Sequence, residues 1–188
     1  MLKRATACVA LLGSAGCVIT PTPQPRQATF VQAEYDPYAG KGSGSIAGQA
    51  FLKTRAGDVK FGAGETVNLN PVTSYSTEWF ERAVLAGEAL ETPDERAAPY
   101  RRSCIADGSG QFRFEQLPAG EYYLACPIVW EYPTQFGLAK TGGTAKARVT
   151  VQENQEARAI VTLSATDLEA QRKAAAERRS ASVRPSDD

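Results

Sequence analysis

The sequence predicts an all-β domain over residues 44–165. Between residues 45 and 163, apolar side chains recur at every second position in several short segments, which is the spacing of half-buried strands. Turn signals rich in glycine and proline separate these segments, for example at residues 107–110 and 117–120. Many short strands separated in this way are typical of a β-sandwich or barrel.

Each predicted strand is defined by its apolar face. Pro71 is expected to end the second strand, and Gly142 and Gly143 are expected to form a turn. The predicted faces, in chain order, are Ile46, Gly48, Ala50 and Leu52; Val67 and Leu69; Phe112 and Phe114; Tyr122, Leu124, Cys126, Ile128 and Trp130; Ala147, Val149 and Val151; and Ala157, Ala159, Val161 and Leu163.

Residues 104–124 read CIADGSGQFRFEQLPAGEYYL and carry a family signature. The order Asp-Gly-x-Gly, Phe-x-Phe and Leu-Pro-Ala-Gly-x-Tyr resembles that of carboxypeptidase regulatory-like domains. The resemblance extends over most of residues 44–163 and implies a seven-stranded prealbumin-like (transthyretin-like) β-sandwich. The signature residues form turns and core faces, so the resemblance implies no catalytic group.

Residues 1–16 have the pattern of a signal peptide. Lys3 and Arg4 precede an apolar run at residues 5–12, which is too short to span a bilayer. The run Ser14-Ala15-Gly16-Cys17 resembles a bacterial lipobox, which implies a lipid on Cys17 that holds the protein to a membrane. Ser14 departs from the usual large aliphatic residue, so the alternative is an ordinary secretory signal cleaved near residue 15 or 16.

The segment after the leader, residues 17–43, is predicted to be a linker. Pro21, Pro23 and Pro25 alternate with other residues and favour extended chain. Val18 is not the Asp that typically retains lipoproteins at the inner membrane of a Gram-negative cell, so in such a cell we expect an outer-membrane location facing the periplasm.

Residues 74–102 interrupt the strand pattern. We expect a short helix capped by Ser76 and Thr77, followed by a loop, and an insertion at a sandwich rim is a frequent place for function. The alternative is that the helix covers a sheet edge and buries its aromatic side chains. The candidate binding residues are Tyr75, Trp79, Phe80, Tyr100, Arg101, Arg102, Trp130 and Tyr132.

Residues 166–188 are predicted to form a polar helix and a disordered tail. Thr166 and Glu169 could form its capping box. Because exported proteins meet an oxidising environment, Cys104 and Cys126 are candidates for a disulfide, the alternative being two separate buried thiols.

The composition disfavours several functions. Basic and acidic residues balance at 21 each, which gives no reason to expect a nucleic-acid partner. The chain has no histidine, so we expect no metal, no cofactor and no histidine-dependent enzyme. The first hypothesis is a non-catalytic cell-envelope lipoprotein whose sandwich is an interaction or structural module, with an envelope protein or a glycan as partner.

Two alternatives remain open at this point. A carbohydrate- or peptidoglycan-binding module would stack exposed aromatic rings on sugars. A carboxylate-based hydrolase would need two of the carboxyl groups of Glu78, Glu81 and Glu131 to face each other across a cleft.

Overall fold

The computed structural model describes residues 22–182, and the predicted signal peptide and Cys17 therefore lie outside the described residues. The protein is mostly β, and its strands form a curled mixed sheet. The described strands are β1 (Gly44–Lys53), β2 (Val59–Phe61), β3 (Thr66–Pro71), β4 (Arg102–Ile105), β5 (Gln111–Leu117), β6 (Gly120–Thr134), β7 (Gly137–Val151) and β8 (Glu156–Leu163). No predicted strand corresponds to β2, which is short and mostly exposed.

The sheet has the order β4-β3-β6-β7-β8-β1. The far edge of β1 is shared by two strands, since β5 pairs with residues 44–49 and β2 pairs with residues 51–53. Strands β1 and β8 are parallel over eight residue pairs, whereas β7 and β8 pair at a single position, Lys146 opposite Thr162. The sheet therefore changes direction between β7 and β8, and its two parts enclose one core.

The core contains most of the faces that the period-two alternation predicts. The largest completely buried side chains include Ile46, Leu52, Leu69, Leu124 and Ile128. They come from β1, β3 and β6, which lie on both parts of the curled sheet, and they belong to one cluster. The alternation therefore identified the correct face of each of these strands.

Gly142 and Gly143, which were predicted to form a turn, lie inside β7. Their lack of a side chain is required by packing: a Cβ on Gly143 would lie 2.6 Å from side-chain atoms of both Leu163 and Leu168. The turn instead precedes them in the chain and lies between Thr134 and Gly137, so β6 and β7 form a long hairpin.

The insertion between β3 and β4 contains α2 (Ser74–Glu78), a π-helical segment (Trp79–Leu85) and a 3₁₀ helix (Glu95–Tyr100). The predicted cap at Ser76 and Thr77 is one turn too late. Thr73 caps α2, because its hydroxyl accepts a hydrogen bond from the Ser76 N–H and the Ser76 hydroxyl accepts one from the Thr73 N–H.

The predicted linker needs correction over its described part, residues 22–43. It contains α1 (Gln32–Tyr35) and a 3₁₀ turn (Asp36–Tyr38), and it packs against the insertion. Phe30 and Tyr35 are buried with Tyr75 in a second apolar cluster, which the proline pattern gave no reason to expect. Alternating prolines favour extended chain, but they do not prevent the following aromatic residues from being buried.

The C-terminal helix α3 (Ala165–Ser182) is capped by Ser164, whose hydroxyl accepts a hydrogen bond from the Asp167 N–H, so the cap lies two residues before the predicted Thr166. Leu168 is buried in the main core, and the Gln171 side-chain oxygen accepts a hydrogen bond from the Thr144 N–H. The helix thus packs on the domain more firmly than its polar sequence predicts. The predicted disordered tail, residues 183–188, lies outside the described residues.

Candidate functional site

A cavity of about 330 Å³ lies where the N-terminal segment, β3 and the insertion meet. We call it the insertion cavity. Its walls include Arg26 from the N-terminal segment, Asn68 and Asn70 from β3, and Trp79 and Arg101 from the insertion. Three parts of the chain that are distant in sequence therefore contribute to one concave surface.

The β3 wall is explained by strand alternation. Val67 and Leu69 face the core and are almost completely buried, so Asn68 and Asn70 face the opposite side, toward the insertion. Neither amide side chain forms a hydrogen bond with another residue of the described range 22–182, although Asn70 is only 7% exposed. Each amide offers both donors and an acceptor to a ligand.

The aromatic wall is supplied by α2 and the helical turn after it. Trp79 is half-buried, and it lines the cavity together with Tyr75 and Tyr35. Tyr75 is fixed in position because its hydroxyl accepts a hydrogen bond of 2.6 Å from the Asp94 N–H. Burial raises the pKa of Tyr35, so this phenol stays neutral. The cavity therefore has a rigid aromatic side and a polar side.

Glu78 connects the N-terminal segment to the insertion. Its carboxylate accepts hydrogen bonds from the N–H groups of Gln27 and Ala28, at 2.7 and 3.1 Å, and from Arg82 at 2.6 Å. Burial opposes ionisation of this carboxyl group, but these three donors outweigh it and lower its pKa. The contact holds Arg26, which directly precedes Gln27 in the chain, beside the cavity.

The structure brings together four of the predicted binding residues, since Tyr75, Trp79, Arg101 and Arg102 all line the insertion cavity. Tyr75 is only 5% exposed, so it forms part of the wall and offers little open surface.

The other four predicted residues lie elsewhere. The Phe80 ring stacks on Tyr123 with centroids 4.1 Å apart, and Tyr100 packs on Tyr35 and lines a separate, smaller cavity. Trp130 and Tyr132 are on the β6–β7 hairpin and do not line the insertion cavity.

Arg26, Asn68 and Asn70 are not among the predicted binding residues. The alternation of Val67-Asn68-Leu69-Asn70 indicates the polar face of β3, because it directs two amides away from a predicted core. No such pattern marks Arg26, since it lies in a segment with linker composition.

The carboxylates proposed for a hydrolase do not face one cleft. Glu78 is 8% exposed and is bonded to Arg82 and to backbone N–H groups, Glu81 is exposed on the π-helical turn, and Glu131 pairs with Lys140 on the hairpin. None of them lines the insertion cavity.

The predicted disulfide between Cys104 and Cys126 is not made, and both are free thiols. Cys104 on β4 lies opposite Val67 of β3, and the register between β3 and β6 places Cys126 on the other side of the same residue. Two strand spacings separate the cysteines by about 9–10 Å, beyond the roughly 7 Å that a disulfide allows between Cα atoms. Burial raises the pKa of the Cys126 thiol to about 12.

Two further findings apply to residues 22–182. The His, Cys, Asp and Glu side chains of this range form no group of three or more that could hold a metal ion. No helix in the same range is both long and apolar enough to cross a membrane.

Comparison with solved structures finds a similar fold in a crystal structure of a candidate carbohydrate-binding protein from Pseudomonas aeruginosa. The two chains superpose with a TM-score of 0.65 and are 26% identical, and the match covers 72% of this chain and 99% of the other. No family model matches the sequence, and no curated protein does so either.

Proposed function

We propose that this protein is a carbohydrate-binding module and that the insertion cavity is its binding site. The observation that carries the proposal is the composition of the cavity: a half-buried tryptophan, two asparagines without internal hydrogen bonds and arginine side chains share one concave surface. A volume of about 330 Å³ is at the lower end of the range of small-molecule sites.

A sugar ring matches this arrangement in two ways. Its faces carry C–H groups that pack on an aromatic ring, and Trp79 supplies a large, rigid ring beside the cavity. Its rim carries hydroxyl groups that both donate and accept, and the amides of Asn68 and Asn70 can do the same. Polar groups of the cavity wall that lack internal partners also disfavour a purely apolar ligand.

The structural neighbour supports the same class of ligand. The protein from Pseudomonas aeruginosa is described as a candidate carbohydrate-binding protein, and this chain covers nearly all of it. Fold similarity is an argument by analogy, so the cavity chemistry described above is the stronger reason.

We also propose that the curled sheet is the prealbumin-like β-sandwich that the sequence resemblance implies. One layer would comprise β4, β3, β6 and β7, and the other would comprise β8, β1, β5 and β2. The single bridge between Lys146 and Thr162, together with the common core, supports this division.

The export of the protein is part of the proposal. The signal-peptide pattern and the lipobox resemblance support a lipoprotein anchored through Cys17 in the outer membrane, with the module facing the periplasm. Mass spectrometry of the mature N-terminus should find a diacylglyceryl group on Cys17, and a Cys17→Ser variant should leave the membrane fraction. A mature N-terminus that carries no lipid would refute the anchor.

The chain offers a direct test of carbohydrate binding, because it has only two tryptophans, Trp79 and Trp130. A Trp130→Phe variant leaves Trp79 as the sole tryptophan reporter, and Trp79→Phe leaves Trp130 as the matched control. Titration with a panel of neutral and acidic mono- and oligosaccharides should change the fluorescence of the first variant in a saturable way and leave the second unchanged.

Two results of this titration would contradict the proposal. If no saccharide in the panel changes the fluorescence or produces a heat of binding in a parallel calorimetric titration, the module does not bind carbohydrate. If a saccharide changes only the Trp130 signal, the site lies on the hairpin and not in the insertion cavity. We expect the bound sugar to be recovered unchanged, and release of reducing ends during the titration would indicate an enzyme instead.

A further inference from the structure

The charge of the insertion cavity is strongly one-sided. Arg26, Arg101 and Arg102 are among its lining residues, and within the described range no aspartate or glutamate lines it. Arg102 lies opposite Leu69 of β3, whose side chain faces the core, so its guanidinium is on the other face of the sheet from the two asparagines. Arg26 and Arg101 remain as cations of the cavity, and a site for a neutral sugar usually needs only hydrogen-bonding groups in addition to an aromatic ring.

Arg26 and Arg101 also differ from most other arginines in the fold. Arg82, Arg96 and Arg148 each form an ion pair with a carboxylate, as do Arg55 and Arg113. Over residues 22–182, Arg26 and Arg101 form none, so no carboxylate of this range compensates their charges. The guanidinium of Arg102 donates to two backbone carbonyls outside the insertion cavity and is therefore not counted with them.

Arg26 provides the most specific observation. Its Nε donates to the carbonyl oxygen of Glu91 at 3.1 Å, and its guanidinium lies over the Tyr75 ring. Its Nη1 is buried and has no hydrogen-bond partner among the described residues. Leaving a buried charged donor without a partner is costly, and such groups call for a ligand or another explanation.

The neighbouring carboxylates are already engaged. Glu78 is bonded to Arg82 and to two backbone N–H groups, and Asp94 is bonded to the side chain and the N–H of Arg96. Each carboxylate is thus compensated by an arginine outside the cavity wall. The positive charge of the cavity therefore remains available to an external anion.

We infer that the ligand of the insertion cavity is an acidic saccharide, whose anionic group is bound by Arg26 and Arg101 while its ring packs on Trp79. The inference rests on the proposed carbohydrate-binding function and specifies its substrate class. The anionic group can be a planar carboxylate or a tetrahedral sulfate or phosphate, because arginine binds two oxygens of each through paired N–H donors.

The test compares sugars that differ only in charge. The full chain is titrated by calorimetry with glucuronate, galacturonate and N-acetylmuramate, and with the methyl ester of each. The ester lacks the charge of the acid and keeps its ring. At least one acid should bind about tenfold more tightly than its ester, since charge-assisted hydrogen bonds are lost with the ester. Hexose 6-sulfate and hexose 6-phosphate, each beside the unmodified hexose, identify which acid group is preferred.

Arg101→Gln is the appropriate variant, because the Arg101 side chain is exposed and forms no hydrogen bond with another described residue, so its loss should not disturb folding. It should weaken binding of the preferred acid about tenfold and bring its affinity close to that of the corresponding ester. Arg158→Gln removes the same charge from an exposed position on β8 and serves as the matched control. Added salt should weaken binding of the acid more than binding of the ester.

The outcomes separate the two proposals. If acids and their neutral counterparts bind equally, the acidic ligand is refuted and carbohydrate binding stands. Equal losses in Arg101→Gln and Arg158→Gln would mean attraction by net charge alone and would also refute the inference. If no saccharide binds, both the function and its substrate class are refuted.

Discussion

The guanidinium carbon of Arg26 lies 4.9 Å from the centre of the Tyr75 ring. The two residues belong to segments that are far apart in the chain, the N-terminal segment and α2. Their contact closes one side of the insertion cavity, which both residues line. The stability of this junction can be tested separately from ligand binding.

Removal of one hydroxyl tests how Tyr75 is held. In Tyr75→Phe the Asp94 N–H loses its acceptor while the ring is kept. We expect the free energy of unfolding to fall by about 1 kcal/mol, measured by urea denaturation. Tyr132→Phe is the control, since that ring is 44% exposed on the hairpin. Equal stability of the wild type and Tyr75→Phe would show that the hydrogen bond contributes nothing.

Glu78→Gln tests the attachment of the N-terminal segment. A neutral amide loses the ion pair with Arg82 and weakens acceptance from the N–H groups of Gln27 and Ala28. We expect a loss of about 2–3 kcal/mol in urea denaturation and faster proteolysis before residue 30. Glu81→Gln, on an exposed neighbouring position, should change neither quantity. Unaltered protease resistance in Glu78→Gln would contradict the assigned role.

The same carboxyl group predicts a dependence of stability on pH. The pKa of Glu78 is lower in the folded protein than its ordinary value of 4.5, so the folded state favours the charged form. This contribution is fully present above the ordinary pKa and is lost as the pH falls through it toward the folded value. The wild type should therefore lose more stability than Glu78→Gln between neutral pH and acid. Parallel curves of unfolding free energy against pH would refute this assignment.

Gly48→Ala tests the packing of β1. A Cβ at this position would lie 2.4 Å from the Ala159 carbonyl oxygen of β8 and 2.5 Å from the Phe112 ring. We expect a destabilisation of about 1–3 kcal/mol, visible as a lower midpoint of thermal unfolding. Gly108→Ala introduces the same methyl group in open space and should have little effect. A thermal midpoint equal to that of wild type would mean that β1 and β8 are spaced differently.

Because Cys104 and Cys126 are free thiols, we expect the stability of the protein to be the same with and without a reducing agent. Because β3 separates Cys104 from Cys126, a reducing agent should not change the midpoint of thermal unfolding. Alkylation of the unfolded, unreduced protein should modify both cysteines. In the native protein, Cys126 should react far more slowly than an exposed thiol, because it is buried and its pKa is raised. An unreduced protein that resists alkylation after unfolding would demonstrate a disulfide.

Much of the fold could be predicted from local patterns. The alternation in β1, β3, β5, β6 and β8 identified the buried faces, because a strand exposes successive side chains to opposite sides wherever it lies. The incorrect turn prediction also arose from a local pattern. Gly142 and Gly143 resemble a turn, and only the proximity of Leu163 and Leu168 explains why a strand needs glycine there.

The candidate site was less predictable. Tyr75, Trp79, Arg101 and Arg102 were selected from the sequence as an aromatic and basic cluster, and the structure places them around one cavity. Arg26 could not have been selected, because its role depends on the bonds that Glu78 makes to the N–H groups of the two residues after it.

By itself, the sequence determined which faces of the strands are buried and that residues 104–124 alternate strands with tight turns, because these properties depend on neighbouring residues. The tertiary structure alone decided that two cysteines expected to pair lie on either side of β3, and that part of an expected linker lines the insertion cavity. Both depend on contacts between distant segments, and a one-dimensional pattern does not record which segments meet.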